Sequence, residues 1–369
     1  MSIQRVGIIG GGQLAQMLAK SVEYLGVQCT VLDPNPDCCA RSTCQHIQGD
    51  YDDTAALAKL AEVSQVVTYE FENVPSAAAE IIAKHCPIEP NAQALDVAQD
   101  RALERTMFSN LGIAVPDYAL VDDVDSLGAA IEEVGTPAIL KARRLGYDGK
   151  GQVLINDQSH AREAFETIGS VPAILDQFVE FSRELSIIAT RSRSGEIEYY
   201  PLTQNIHRGG ILRVSKSPAR DVSDAISAQA QCAIKDILEH FDYVGTLAVE
   251  FFQIGEDESA FLVANEIAPR VHNTGHWTIE GAKTSQFENH MRAVMGMELG
   301  STDPVGHSAM VNIIGNEPRP GALDAMPDAH VHMYGKAPMA GRKIGHVTLN
   351  ASTPIELDSL LERFTRVVG

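Results

Sequence analysis

Three groups of residues in this chain have types and spacings that fit chemistry. The first lies in "LKARRLGYDGKGQ", residues 140–152, where Lys141 closes a short apolar run and Gly146, Gly149 and Gly151 follow. A lysine beside a glycine-rich loop fits phosphate binding, because glycine lets the backbone approach an anion closely. The order is not that of a P-loop, which needs G-x-x-x-x-G-K-[ST] between a strand and a helix. Here the lysine comes first, and Lys150 is followed by Gly151. The second group is a pair of glutamates. Glu250 sits inside the apolar run "GTLAVEFFQI" and Glu266 inside "FLVANEIAPR", with "GEDES" between them reading as a turn. A hairpin centred on that turn sets the two carboxylates opposite each other. Like charges opposed on a sheet repel, and a buried carboxylate resists ionisation unless it is paired. A divalent cation removes both objections, and hard oxygen ligands fit Mg2+. The alternative is two structural carboxylates satisfied by arginines. The third group is the loop "IAPRVHNTGHWT", with Arg270, His272, His276 and the single tryptophan, Trp277. It reads as an anion site beside the metal, or as a plain surface loop.

A weaker signal opens the chain. In "GIIGGGQLAQ" three glycines, Gly10 to Gly12, join an apolar run to a helical pattern. This is a tight strand-to-helix turn whose helix N-terminus suits an anion. Asp33, at the end of the next apolar run, suits a ribose hydroxyl, as in dinucleotide-binding domains. A plain turn with no ligand fits equally well.

The elements that must position these groups follow from periodicity. Apolar runs at 5–11, 28–33 and 65–71 alternate with helical patterns at 13–26, 53–64 and 75–85. Such alternation predicts a doubly wound parallel sheet. Residues 94–112 read as one long connecting helix ended by Gly112. Short β-like runs and two helical patterns make residues 115 to about 180 a small α+β lobe. From 183 longer strands predominate, with helices at 221–242 and 285–298, which predicts a third lobe rich in antiparallel pairing. The tail from about 308 carries further short strands.

The bulk composition excludes several classes. A formal net charge of −20 argues against nonspecific binding to nucleic acid or an anionic membrane. If the ligands are anions, the clustered cations mark the site. No apolar run approaches membrane-spanning length. The start, "MSIQRVGIIGGG", enters a strand with no room for a secretion signal, so a cytosolic location is expected. None of the six cysteines forms a C-x-x-C pair, which predicts free thiols rather than a metal site.

Together these motifs resemble a family. The chain is similar to the ATP-grasp enzymes, and in particular to the N5-carboxyaminoimidazole ribonucleotide synthetases. The matching stretches are "GIIGGGQLAQML", "YEFENVP", "QDR", "GYDGKGQ", "NEIAPRVHNTGHWT" and "GRKIGHVTL". The resemblance implies an N-terminal Rossmann-like domain over 1–114, a small lid lobe over 115–182, and a large lobe over 183–369 whose segment from about 308 binds substrate phosphate. Nucleotide lies between the two lobes. Lys141 reaches the phosphates, and the loop 146–152 closes over them.

Residue by residue, the resemblance implies an ATP site of Arg101, Lys141, Gly146, Tyr147, Asp148, Gly149, Lys150, Gly151 and Gln152. The hinge Asp176, Gln177, Phe178 and Val179 takes adenine, and Glu184 takes the ribose. His207, Asn265 and Glu266 complete that site. Asp176 stands where the family usually has glutamate. Glu250 and Glu266 match ligands of Mg2+, with Mn2+ as an alternative. Arg270 matches the arginine that holds bicarbonate, with His272 beside it. The ribonucleotide contacts Gly12, Gln13, Leu14, Glu70, Tyr147 and Asp148, and its phosphate takes cations from Lys336, Arg342 and Lys343. Met339 replaces an arginine common in the family. Arg270, Lys141 and Asp148 form the implied catalytic set, with Asp148 placed to help the amine lose its proton.

The implied function is ATP- and bicarbonate-dependent carboxylation of 5-aminoimidazole ribonucleotide through carboxyphosphate, in purine biosynthesis, by a cytoplasmic homodimer. Rivals are another ATP-grasp ligase, such as a formate-dependent glycinamide ribonucleotide transformylase or a biotin carboxylase, and an NAD-dependent dehydrogenase. The dehydrogenase leaves the glutamate pair and the 141–152 loop without a use. An inactive scaffold has no use for carboxylates inside a strand.

Overall fold

The computed structural model describes residues 3–146, 151–256, 258–318, 321, 326 and 328–368. The first layer alternates strands and helices: β1 (Arg5–Ile9), α1 (Gln13–Ser21), β2 (Gln28–Asp33), β3 (Gln45–Gln48), α2 (Thr54–Val63), β4 (Val66–Tyr69) and α3 (Ser76–Ala83). The strands form a parallel sheet in the order β3-β2-β1-β4. Its central strand β1 is apolar and buried, as a strand covered on both faces must be.

The predicted long helix over 94–112 is two helices, α4 (Ala92–Ala98) and α5 (Arg101–Asn110). Asp100 breaks it. Its backbone is extended and its carboxylate accepts from the Ala102 amide, a helix N-cap. The same carboxylate is bound by Arg143 at 2.8 Å and Arg144 at 3.2 Å. Helical periodicity runs through the break, so only the tertiary partners reveal it.

A second sheet follows: β5 (Tyr118–Val121), α6 (Val124–Val134), β6 (Ala138–Ala142), β7 (Gln152–Ile155), α7 (Ala161–Thr167) and β8 (Ala173–Gln177). Its strands pair antiparallel in the order β5-β8-β6-β7. The third sheet begins with β9 (Arg183–Arg191), β10 (Ile197–Tyr199), β11 (Thr203–Arg208) and β12 (Ile211–Ser217). It continues through α8 (Asp224–His240), β13 (Gly245–Ile254), β14 (Phe261–Ala268), α9 (Thr278–Gly281) and α10 (Gln286–Met295). The tail adds β15 (His307–Ile314), β16 (Ala329–Met333), β17 (Lys343–Ala351) and α11 (Pro354–Val368). The main path is β14-β13-β9-β11-β12-β15-β17-β16, with β10 beside β9. The tail strands thus extend the sheet that carries the glutamates.

The layers share apolar cores. Leu14, Leu18 and Val31 of the first layer pack with Val271, Phe287, Met291 and Tyr334 of the third. Helix α9 lies close under β15 and β17. A Cβ on Gly281 would sit 2.1 Å from Ser308 Oγ and 2.8 Å from the Trp277 ring. Both neighbours are buried. Gly281→Ala is therefore expected to destabilise the protein by about 1–3 kcal/mol through overpacking. Urea denaturation of the two proteins checks this, and an unchanged midpoint would mean that α9 is loosely seated.

Candidate active site

The register of β13 on β14 pairs Glu250 directly with Glu266, and the ladder shifts by one residue immediately after Glu250. A bulge at this point re-aims side chains without ending the strand. Burial and the charge of Glu266 push the Glu250 carboxyl up from 4.5 to about 7. Around the pair stand Arg101, whose Nη1 lies 3.4 Å from Glu266 Oε2, and His272, whose Nε2 lies 3.7 Å from Glu250 Oε1. Arginine pairing therefore satisfies part of Glu266, while the half-buried Glu250 has the His272 imidazole beside it and feels His207 and Lys343 from further off. Two facing carboxylates, one held toward its neutral form, are a donor set that a divalent cation fits.

Lys141, near the end of β6, is buried, and its ammonium lies 2.8 Å from Asp176 on the neighbouring strand β8. Burial pulls this ammonium down from its usual range, against the pull of Asp176. Burial pushes Asp176 up, but Lys141 and Arg105 overcome it and hold the carboxyl at about 2. Arg105, from α5, donates to Asp176 at 2.9 Å. The shorter side chain at 176 thus makes strong contacts of its own. In the hinge, the amides of Gln177 and Phe178 donate to the carbonyls of Asp117 and Pro137. Phe178 is exposed and Val179 half-buried.

On β9 and β11, Glu184 accepts from His207 Nδ1 at 2.8 Å. Burial pulls the imidazole down, but Glu184 and the charges of Glu250 and Glu266 more than offset it and raise it. The loop read as one anion site divides in two. Arg270 and His272 face the glutamates. His276 and Trp277 are fully buried anchors, with the indole donating to Thr203 Oγ1 at 3.1 Å. The Arg270 guanidinium is bound by Glu72 and by the Val271 carbonyl. Burial and then Arg270 and Lys343 push the His272 imidazole well below its usual range, which leaves it neutral.

A second cluster lies at the start of α1. Glu70 accepts from the amides of Gly12 and Ala15 and so caps the helix with its own carboxylate. Burial pushes this carboxyl up against those amides. Lys336 donates to Gln13 Oε1 at 2.6 Å, which brings the tail onto this helix end. Leu14 belongs to the apolar core, so only its backbone is open to a ligand. Arg342 is exposed and Lys343 half-buried, and Lys343 acts on Glu72, Glu250 and His272. Met339 is exposed. Asp33 does not present itself to a ribose: its carboxylate accepts from the Gly11 amide at 2.7 Å and from Tyr51 at 2.9 Å.

Of the loop, Gly146, Gly151 and Gln152 are described. Gly151 has φ +71, and its carbonyl accepts from Ala142. Tyr147, Asp148, Gly149 and Lys150 lie outside the described residues. Asn265 offers its carbonyl to Arg105 at 2.8 Å. The sequence reading passed over Glu72, Glu104 and Arg105. Glu72 had a signal, since it shares "YEFENVP" with Glu70. Glu104 and Arg105 had none, being ordinary charges in a helical pattern.

Comparison with known proteins follows this geometry along the chain. A ribonucleotide synthetase preATP-grasp domain matches residues 3–99 and an ATP-grasp domain residues 106–287. A phosphoribosylaminoimidazole carboxylase C-terminal domain matches residues 308–359. The N5-carboxyaminoimidazole ribonucleotide synthase of Pseudomonas aeruginosa is 48% identical over 348 residues, covering 94% of this chain and 95% of the relative. The crystal structure of the Thermus thermophilus synthetase superposes with a TM-score of 0.93 at 47% identity, covering 99% of this chain and 98% of the other. An Aspergillus clavatus synthase in complex with ADP and 5-aminoimidazole ribonucleotide superposes at 0.91 with 31% identity, covering 99% and 98%.

The carboxylate pair has a measurable consequence without any ligand. Because the Glu250 carboxyl is raised from 4.5 to about 7, the folded protein binds more protons than the unfolded chain between those values. Stability contributed by this group therefore falls as pH rises through that window. One pKa unit is about 1.4 kcal/mol, so the cost at neutral pH is on the order of 3 kcal/mol. Glu250→Gln should melt higher than wild type at about pH 7.5 in metal-free buffer, with the gap closing toward about pH 4.5. A gap that does not change with pH would locate the effect elsewhere.

Proposed function

The chain belongs to the N5-carboxyaminoimidazole ribonucleotide synthase family of ATP-grasp enzymes, and from that premise we infer how its own residues divide the work. It is an ATP-dependent ligase that carboxylates 5-aminoimidazole ribonucleotide in purine biosynthesis. The observation that carries the assignment of residues is the meeting of two sites. Arg105 ties the Lys141–Asp176 pair to the strand of Glu266, and Arg270, held by Glu72, feels both Glu266 and Glu70, the latter at the Gly12–Gln13–Lys336 end of α1. We divide the chain at 1–114, 115–182 and 183–369, which the three separate sheets support.

ATP lies with its phosphates between Lys141 and the glutamate pair. Glu250 and Glu266 would hold Mg2+, or Mn2+, which when bound neutralises the charge of the phosphate oxygens. Arg101 shares Glu266 and steadies it. Since the amides of Gln177 and Phe178 are already engaged, adenine pairing falls to Val179 and to the hinge carbonyls. Glu184, oriented by His207, takes the ribose hydroxyls.

Bicarbonate binds at Arg270, whose position Glu72 fixes. Its oxygen attacks the γ-phosphorus, ADP leaves, and carboxyphosphate forms. The exocyclic amine of the ribonucleotide then attacks the carboxyl carbon, phosphate leaves, and the amine gives up a proton, with Asp148 as its acceptor. The neutral His272 offers a hydrogen bond without adding charge beside the metal ligands. The intermediate hydrolyses readily, so the reaction requires that water be kept from it. Because Glu70 already caps α1, the ribonucleotide phosphate falls to Lys336, Arg342 and Lys343, with Gln13 and the Gly12 turn along its sugar. A cytoplasmic homodimer is the state proposed.

ADP formation is expected to require bicarbonate and a divalent cation, and to be stimulated by 5-aminoimidazole ribonucleotide. A coupled assay with formate and glycinamide ribonucleotide in parallel checks it, and turnover on that second pair alone would sink the assignment. Lys336→Ala should raise the KM for the ribonucleotide with little change in the KM for ATP. The loss of one charge-assisted hydrogen bond, about 1.5–3 kcal/mol, corresponds to roughly 10–150-fold. An unchanged ribonucleotide KM would return the tail cation to a structural role.

A further inference from the structure

Arg105 is fully buried in α5 and reaches two further elements. Its Nη2 donates to Asp176 Oδ2 at 2.9 Å, on β8 of the small sheet. Its Nη1 donates to the Asn265 carbonyl at 2.8 Å, on β14 of the large sheet. Next to it, Glu104 accepts from the Ile267 amide at 2.7 Å. The backbone on both sides of Glu266 is thus tied to consecutive residues of one helix. Asp176 Oδ2 is also the oxygen held by Lys141 at 2.8 Å. Asp176 is the firm countercharge to both cations, while burial pushes the Glu104 carboxyl up to about 7, so Glu104 supplies the second countercharge only in part. A guanidinium is the side chain suited to the task, because its planar fork serves acceptors in different directions at once.

We propose that Arg105 is a positioning residue: through Asp176 it sets Lys141, and through Asn265 it sets Glu266, so that one guanidinium fixes the phosphate lysine of the small lobe against the metal-binding strand of the large lobe. The proposal rests on the assignment of Lys141 and Glu266 to ATP. It also accounts for aspartate at 176. A short carboxylate is reached by a long cationic arm, and a longer carboxylate would need a shorter one.

The test exchanges the two lengths. In Arg105→Lys the ammonium falls short of Asp176. The expected kcat per folded site drops by at least about tenfold while the KM for MgATP changes much less, because misplacement costs the transition state more than binding. Thermal melts supply the folded fraction. Adding Asp176→Glu lengthens the carboxylate and should recover at least roughly fivefold of that kcat. A wild-type kcat in Arg105→Lys, or a double variant no better than the single one, overturns the proposal. If Arg105→Lys does not fold, the double variant decides: folded and active supports the proposal, unfolded or inactive overturns it. Lys141→Met separates the two levels. Full turnover in that variant removes the ATP assignment itself, whereas lost turnover there with full turnover in Arg105→Lys removes only the positioning role.

Discussion

The repulsion between Glu250 and Glu266 is the constraint around which the cleft is arranged. Two carboxylates opposed on neighbouring strands destabilise a sheet, and here one of them is raised to about 7 by burial and by its partner. The fold meets the cost with cations set at a distance rather than with a tight ion pair. Arg101 touches Glu266, while His207 and Lys343 act on Glu250 from further away. A tight lysine or arginine partner would satisfy the pair and leave it no reason to take a metal. The weak compensation leaves the pair short of positive charge, the condition that a divalent cation would meet.

The same logic governs the clustered cations. In a chain of net charge −20 they are not left to repel one another or to wander. Lys141 rests on Asp176, Arg270 on Glu72, Arg143 and Arg144 on Asp100, and Lys336 on Gln13. Each is held in place by its partner, which lowers the entropy such a long side chain would lose in meeting a ligand. Breaking a buried pair is expensive, so a phosphate that takes over one of these cations must also leave its former partner compensated. Around Asp176 the structure provides for this, because Arg105 holds the same carboxylate as Lys141.

The tail shows how separate segments become one site. Its strands β15 and β17 join the sheet of the glutamates, and its Lys336 reaches back to α1 at the start of the chain. Across the paired strands β16 and β17 the rings of His332 and His346 stack at 4.5 Å, and Tyr334 bonds to His346 at 2.7 Å. The packing of Tyr334 with Leu14, Leu18 and Met291 draws the first layer and the tail together. The meeting of Gln13 with Lys336, from the first and last parts of the chain, depends on that core.

What the sequence determined by itself was local and periodic. The alternation of strand and helix patterns marked the first layer. Apolar runs holding single glutamates, with a turn midway, were enough to oppose Glu250 and Glu266, because strand geometry turns spacing into register. Lys141 before a glycine loop pointed to phosphate, and the resemblance of whole motifs supplied the reaction. Tertiary structure decided where one charged side chain meets another far away in sequence. Asp100 ends a helix that periodicity would continue, since its partners Arg143 and Arg144 lie on another lobe. Glu72 restrains Arg270, and Arg105 joins two lobes, though neither residue differs in type from many surface charges. His276 and Trp277 share a loop with Arg270 yet turn into the core. Spacing fixes direction only within an element. Burial and charge pairing depend on which elements meet, and the packing of three sheets settles that.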